Sequence, residues 1–229
     1  MAGNRLPFFP RFTGAFLRAV AACTTRVRVE GLENLPASGP ALVIGNHSSN
    51  ADGMLLMAFI VPAMGRPIGW LGKEEALRWP FLGWAMRQNG VFGIRRGAGD
   101  LEAFKLARGV LDDGRVLAIF PEGTRSPNGA LQEAKEGATV LAVRSGAPIL
   151  PIAIVGSHRF WPKGKLLPRL GQRMTVRVGE TFTLSMPKGG DRHEALRLAT
   201  AELMRHLAEL LPPEQRGVYG ETVEAAGRS

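Results

Sequence analysis

His47 and Asp52 lie five positions apart in the segment Asn46-His47-Ser48-Ser49-Asn50-Ala51-Asp52, which follows the apolar run Ala41-Leu42-Val43-Ile44-Gly45. On a continuous helix, positions i and i+5 are about 140° apart, so these side chains can meet only across a turn that precedes a helix. Ser48, Ser49 and Asn50 are turn and capping residues of the kind that make one. The imidazole then stands at the C-terminal edge of a strand, where α/β sheets assemble their sites, and Asp52 orients it and stabilises its protonated form. Such a pair is a general base without a nucleophile of its own. The proton it removes comes from the substrate.

A second constellation, Phe120-Pro121-Glu122-Gly123-Thr124-Arg125-Ser126, ends the apolar run that begins at Val116. Gly123 lets backbone amides approach an anion, Thr124 and Ser126 add hydroxyl donors, and Arg125 supplies a bidentate fork. Together they read as an oxyanion or phosphate cradle. Glu122 either holds Arg125 in place or binds a substrate hydroxyl. Lys73 and the pair Arg95-Arg96 lie between the two constellations, the pair directly after Gly90-Val91-Phe92-Gly93-Ile94. In a parallel sheet these strand ends share the edge that carries His47 and Phe120, and their cations converge on one mouth.

The remaining histidines carry less. His193 and His206 sit beside Arg and Glu on a C-terminal helical pattern and read as solvated, while His158, in Gly156-Ser157-His158-Arg159, reads as structural. Neither a G-x-S-x-G elbow, a P-loop nor an H-E-x-x-H helix is present, and Gly97-Ala98-Gly99 lacks the third glycine of a dinucleotide fingerprint. No metal site is expected.

The elements that must position these groups alternate. Ala41 to Gly45, Gly90 to Ile94, Val116 to Phe120, Ile149 to Val155 and Met174 to Val178 read as strands, the first four apolar enough to be covered on both faces. Helices are expected at Ala51 to Met64, Glu75 to Gln88, Asp100 to Asp112, Glu136 to Ser145 and Asp191 to Leu211. The alternation predicts an α/β fold with a largely parallel or mixed central sheet flanked by helices. Three parts follow: an N-terminal segment (1–27), a central domain (28–213) and a polar tail (214–229) expected to fray.

The 229 residues suit one domain with terminal additions, and 45% apolar with 21% charged residues excludes wholesale disorder. The net charge of +9 comes from 23 Arg and six Lys against 20 acids, and suits phosphorylated or acidic lipid partners. Nucleic-acid binding is not expected, because the Arg residues are scattered and one Tyr is present. The lone Cys23 cannot form an intrachain disulfide. In the N-terminal segment Phe16, Leu17, Val20 and Cys23 or Thr24 recur at helical spacing with Arg11, Arg18 and Arg26 at the edges, while Pro7, Pro10 and the arginines interrupt any spanning run. The pattern fits a helix in the interface of an anionic membrane, or one packed on its own domain. Met54 to Val61 reads as core or as the lining of an acyl groove; Trp70, Trp79 and Trp84 read as core or as headgroup-level anchors.

Asn46-His47 through Asp52 resembles the N-H-x4-D block, and Phe120 through Ser126 the F-P-E-G-T-R-S block, of the 1-acylglycerol-3-phosphate acyltransferase family. Lys73 with Glu74-Glu75, Pro80, Gly83 and Gly90 to Arg96 is similar to the family's second block, and Leu150-Pro151-Ile152-Ala153-Ile154 to its fourth. The resemblance implies transfer of a fatty acyl group from a coenzyme A or acyl-carrier-protein thioester to the hydroxyl of a lysophospholipid, on the cytoplasmic face of the cell membrane, without a cofactor. It implies His47 as general base with Asp52 as its partner, acceptor binding by Glu122, Gly123, Thr124 and Arg125, and phosphate contacts from Lys73 and Arg96. The family often has Asp where Arg95 stands, which leaves open which arginine faces the phosphate and whether glycerol-3-phosphate is the headgroup; another lysolipid acceptor, or a catalytically silent lipid-binding protein, is the alternative.

Overall fold

The computed structural model describes residues 6–94, 99–186 and 191–226. Strands β1 (Arg26–Glu30), β2 (Ala41–Gly45), β3 (Ile68–Lys73), β4 (Val91–Ile94), β5 (Val116–Ile119), β6 (Ile149–Val155) and β7 (Arg173–Val178) form one mixed sheet in the order β1-β7-β6-β2-β5-β3-β4. β6, β2, β5, β3 and β4 run parallel; β7 turns back antiparallel to β6, and β1 pairs parallel with β7. The C-terminal ends of β2, β5, β3 and β4 therefore share one edge, the condition for the site the sequence predicts.

β2 is fully buried because its side chains alternate between two cores. Ala41 and Val43 face the core under helices α2 (Asp52–Leu55) and α3 (Val61–Met64), which a π-helical turn at Leu56–Ile60 joins. Leu42 and Ile44 face the opposite core, beneath α6 (Gly99–Asp112), α7 (Glu136–Ser145) and α9 (Arg192–Glu209). Both faces being covered explains why the central strands are apolar at successive positions.

Helix α1 (Phe8–Thr24) lies across α3 and the π turn. A Cβ added at Gly14 would stand 2.8 Å from Pro62 Cγ, so this glycine is what allows the close approach. The opposite side leaves Phe8, Phe12 and Phe16 exposed. Among the described residues, no helix is long and apolar enough to cross a membrane.

Three expectations change. Strands β1 and β3 are additional: Arg-Val-Arg-Val-Glu alternates as an outermost strand does, and two glycines break the apolar signal of Ile68–Lys73. The helix expected over Glu75 to Gln88 is two, α4 (Glu74–Leu77) and α5 (Leu82–Gln88), because Pro80 and Phe81 intervene and Phe81 takes a positive φ of 56°. The C-terminal residues do not fray from Glu214. Turns at Pro213–Gln215 and Gly217–Tyr219 lead into α10 (Gly220–Ala226), anchored by buried Gln215 and Tyr219. The Gln215 side chain accepts from Gly156 N–H at 3.2 Å, and the Tyr219 hydroxyl from Ala134 N–H at 3.0 Å.

Candidate active site

The turn after β2 places Asp52 as the first residue of α2 and points its carboxylate back into the turn. Its Oδ2 accepts from Ser48 N–H and Ser49 N–H, each at 2.7 Å, and lies 2.9 Å from His47 Nδ1. Its Oδ1 accepts from the Ser157 hydroxyl at 2.6 Å, and Ser157 Oγ lies 3.1 Å from Ser48 Oγ. Asp52 has 0% exposure, whereas the His47 side chain keeps 24%. A fully buried carboxylate with this many donors is fixed in one orientation, and it fixes Nδ1 in turn. The imidazole also stacks on the Phe120 ring at 4.2 Å between centroids. Nε2 is thereby left as the nitrogen for chemistry.

Asn46 anchors the start of the turn. Its amide donates to Ile154 C=O at 3.0 Å and accepts from Ile154 N–H at 2.7 Å, continuing the ladder between β2 and β6 through a side chain. Ser157 begins the short helix α8 (Ser157–Phe160) after β6, with Gly156 turning at φ 81°. Sequence reasoning missed it: Ser157 is 105 residues from Asp52, and the only signal was its place after an apolar strand.

The Phe120-to-Ser126 loop meets His47 as its register requires, because Ile44 at the end of β2 pairs with Ile119 of β5. Ser126 N–H donates to His47 C=O at 2.7 Å, and Glu122 Oε1 accepts from His47 N–H at 2.7 Å. Glu122 Oε2 accepts from Gln132 N–H at 3.0 Å and from the Gln132 side-chain amide at 3.3 Å. Both oxygens of this buried carboxylate are thus engaged in fastening the loops together. Among the described residues no hydrogen bond or ion pair joins it to Arg125, so of the two uses open to Glu122 the hold on Arg125 is not seen, and the carboxylate clamps the loops instead. Burial pushes the Glu122 carboxyl above its ordinary value, against the pull of the His47 and Gln132 hydrogen bonds.

Gly123 turns the loop with φ 67° and lies under the Lys135 chain; an added Cβ would come within 2.9 Å of Lys135 Cε. Thr124 is exposed and Arg125 half-buried at the rim. Lys163 Nζ donates to Arg125 C=O at 2.9 Å and to Thr124 Oγ1 at 3.4 Å, adding a cation that the sequence motifs did not indicate. Lys73 ends β3 opposite Ile94 of β4, so its backbone stands on the same sheet edge. Arg95 and Arg96 follow Ile94 and lie outside the described residues.

His158 is half-buried against Gly129, and burial lowers its pKa. His206 departs from its expected solvated role: it stacks on Phe182 at 3.8 Å between centroids. Met54 to Val61 divides, with Leu55, Leu56, Ala58, Ile60 and Val61 in the core and Met54 exposed beside an apolar cavity of about 100 Å³ under α1. The tryptophans divide as well: Trp70 is buried, Trp79 and Trp84 exposed. Among the described residues no group of three or more His, Cys, Asp or Glu is placed to hold a metal ion.

The family described as Acyltransferase matches residues 26–155, a span that contains both loops. The chain is 33% identical to a 1-acyl-sn-glycerol-3-phosphate acyltransferase of Pseudomonas aeruginosa, over 92% of this chain and 79% of that protein. It is 33% identical to the chloroplastic acyltransferase LPAT1 of Arabidopsis thaliana and 36% to the human alpha enzyme, covering 61% and 60% of this chain. Those matches span only 38% and 48% of the two relatives. The crystal structure of the 1-acyl-sn-glycerophosphate acyltransferase PlsC from Thermotoga maritima superposes with a TM-score of 0.68 at 26% identity, covering 88% of this chain and 79% of that one. The match to the bacterial relative runs nearly end to end and the family span encloses the His47–Asp52 turn and its neighbouring loop; this chain belongs to the 1-acylglycerol-3-phosphate acyltransferase family.

Proposed function

We propose that the protein transfers a fatty acyl group from a coenzyme A or acyl-carrier-protein thioester to the free hydroxyl of 1-acylglycerol-3-phosphate, giving phosphatidic acid. The observation that carries this reading is the 2.9 Å contact between His47 Nδ1 and buried Asp52, together with the His47 backbone's hydrogen bonds to Glu122 and Ser126. His47 Nε2 takes the proton of the acceptor hydroxyl as its oxygen attacks the thioester carbonyl. The tetrahedral intermediate collapses, the C–S bond breaks, and the thiolate recovers that proton from the imidazolium. No covalent acyl-enzyme is needed because a thioester is already activated; base catalysis worth about 10²- to 10⁴-fold is joined to positioning of the two reactants.

The cations at the sheet edge suit the acceptor phosphate: Arg125 at the rim, Lys73 by its backbone position, and Arg95 and Arg96 by sequence. A membrane-borne acceptor agrees with the surface of α1. Phe8, Phe12 and Phe16 are exposed along it, and Phe9 packs edge-on against Trp84 at 4.8 Å, which brings exposed Trp79, Phe81 and Trp84 beside its N-terminal end. Aromatic side chains of this kind favour the headgroup level, and the net charge of +9 favours an anionic, cytoplasmic face.

Purified protein supplied with an oleoyl thioester and a panel of lysolipids, with products read by mass spectrometry, tests the proposal. Phosphatidic acid should form from lysophosphatidic acid faster than the corresponding product from any other acceptor. A preference for another lysolipid would transfer the chemistry to that headgroup; a folded, vesicle-bound protein that acylates nothing would end the enzymatic reading.

A further inference from the structure

We propose that the loop from Pro162 to Leu170 is a second membrane-contact element, one that sets the depth of the active site against an anionic lipid surface. Leu166, Leu167 and Leu170 are 87%, 76% and 65% exposed, three large apolar side chains within five residues. Lys163, Lys165 and Arg169 stand exposed among them, and no acidic residue occurs from Phe160 to Gln172. Exposed leucines interleaved with cations match the boundary between acyl chains and anionic headgroups, where apolar tips insert and basic groups meet phosphate.

Hydrogen bonds hold the loop in place at several points. Lys165 C=O accepts from the Trp161 indole N–H at 2.9 Å, Arg169 N–H donates to Phe160 C=O at 2.7 Å, and Gly171 N–H donates to Thr24 C=O at 2.8 Å at the end of α1. Thr25 Oγ1 also donates to Gln172 C=O. Leu17, Val20, Ala21 and Thr24 of α1 line the same apolar cavity as Trp161 and Pro168, so the loop lies beside the C-terminal half of that helix. With 17 residues, α1 is about 25 Å long and separates the Trp79–Trp84 aromatics at one end from the leucines at the other.

Hydrogen bonds to Trp161 C=O, at its start, and from Lys163 connect this loop to the chemistry. Asn50 N–H donates to Trp161 C=O at 3.1 Å and Ser49 Oγ to the same oxygen at 2.9 Å, tying the loop to the turn that carries His47 and Asp52. Lys163 is bound to Arg125 C=O and to Thr124. Seating the leucines in the interface therefore fixes the height of both the base and the cradle. The purpose of this arrangement rests on the lipid acceptor proposed above, but vesicle binding is measured without turnover, so either idea can fail without the other.

Partitioning onto phosphatidylglycerol/phosphatidylcholine vesicles tests it, comparing the parent protein with the triple variant L166S/L167S/L170S, whose exposed positions leave the fold intact. The triple variant should bind about tenfold more weakly, the loss expected for a few interfacial leucines. K165E/R169E should lose the preference for anionic over zwitterionic vesicles. In a second measurement, L167W should add emission that shifts to shorter wavelength on these vesicles and is quenched by brominated lipid. Unchanged binding of the triple variant, or L167W fluorescence indifferent to vesicles, overturns the proposal and leaves α1 and the Trp79–Trp84 aromatics as the whole contact.

Discussion

At the scale of single residues, the site is a buried carboxylate that organises its surroundings. Asp52 takes two backbone amides, a hydroxyl and an imidazole, three of them from its own turn and the hydroxyl from a distant part of the chain. His47, Ser48 and Ser49 are local, so their spacing to Asp52 exposed the pair in the sequence. Ser157 is not local, and its place after an apolar strand was the one signal in its neighbourhood. Ser157→Ala removes one charge-assisted hydrogen bond and lets the carboxylate rotate, a loss of about 1.5 to 3 kcal/mol. Acyl transfer should fall about tenfold or more in kcat, with KM for both substrates nearly unchanged, in steady-state assays against the parent. An altered KM with intact kcat would mean that Ser157 supports binding instead.

At the scale of elements, adjacency of β2 and β5 does what neither loop does alone. The carboxylate of Glu122 joins them by accepting from His47 N–H and Gln132 N–H, a use different from either holding Arg125 or binding a substrate hydroxyl. Motif chemistry indicated the residue but not its use, because its shorter hydrogen bonds come from backbone groups, which any sequence supplies. Glu122→Ala leaves the His47 and Gln132 backbone N–H groups without their acceptor and should cost about 2 to 3 kcal/mol. For a chain of this size that is a drop of roughly 4–12 °C in Tm by calorimetry, with activity lost at temperatures where the variant is still folded. Legibility of the elements follows the same logic. β2, β5 and β6 were readable because both faces are covered, β1 was not because it is an edge strand of alternating charge, and the helix before β4 was overextended because the reversal at Pro80-Phe81 depends on a positive φ no pattern encodes.

At the scale of the whole molecule, the parallel strands bring the His47 turn and the Phe120-to-Ser126 loop to one sheet edge, while α1 keeps Phe8, Phe12 and Phe16 exposed. The C-terminal residues, expected to fray, instead fasten the sheet edge through Gln215 and Tyr219; two anchoring side chains in a polar stretch escape a compositional reading. Acid stability reports on this packing. Burial holds His158 and His206 below the ordinary histidine value, with Arg159 and Arg205 adding repulsion and nearby acids opposing. A depressed folded-state pKa gives stability that is complete above the unfolded value and declines as pH falls through the folded one. Tm should therefore fall between about pH 7 and pH 5.5, and His206→Asn, which removes one of the two groups, should show a smaller fall than the parent in the same buffers. Equal slopes in parent and variant would show that the stacked imidazole does not titrate with unfolding.

The most direct test of the central claim is the single-turnover rate of acyl transfer from an oleoyl thioester to lysophosphatidic acid in vesicles, for the parent and for His47→Ala, with equal vesicle binding and melting established for both. The account predicts a rate about 10²- to 10⁴-fold lower in the variant. Transfer at the parental rate by a folded, vesicle-bound His47→Ala protein would contradict it.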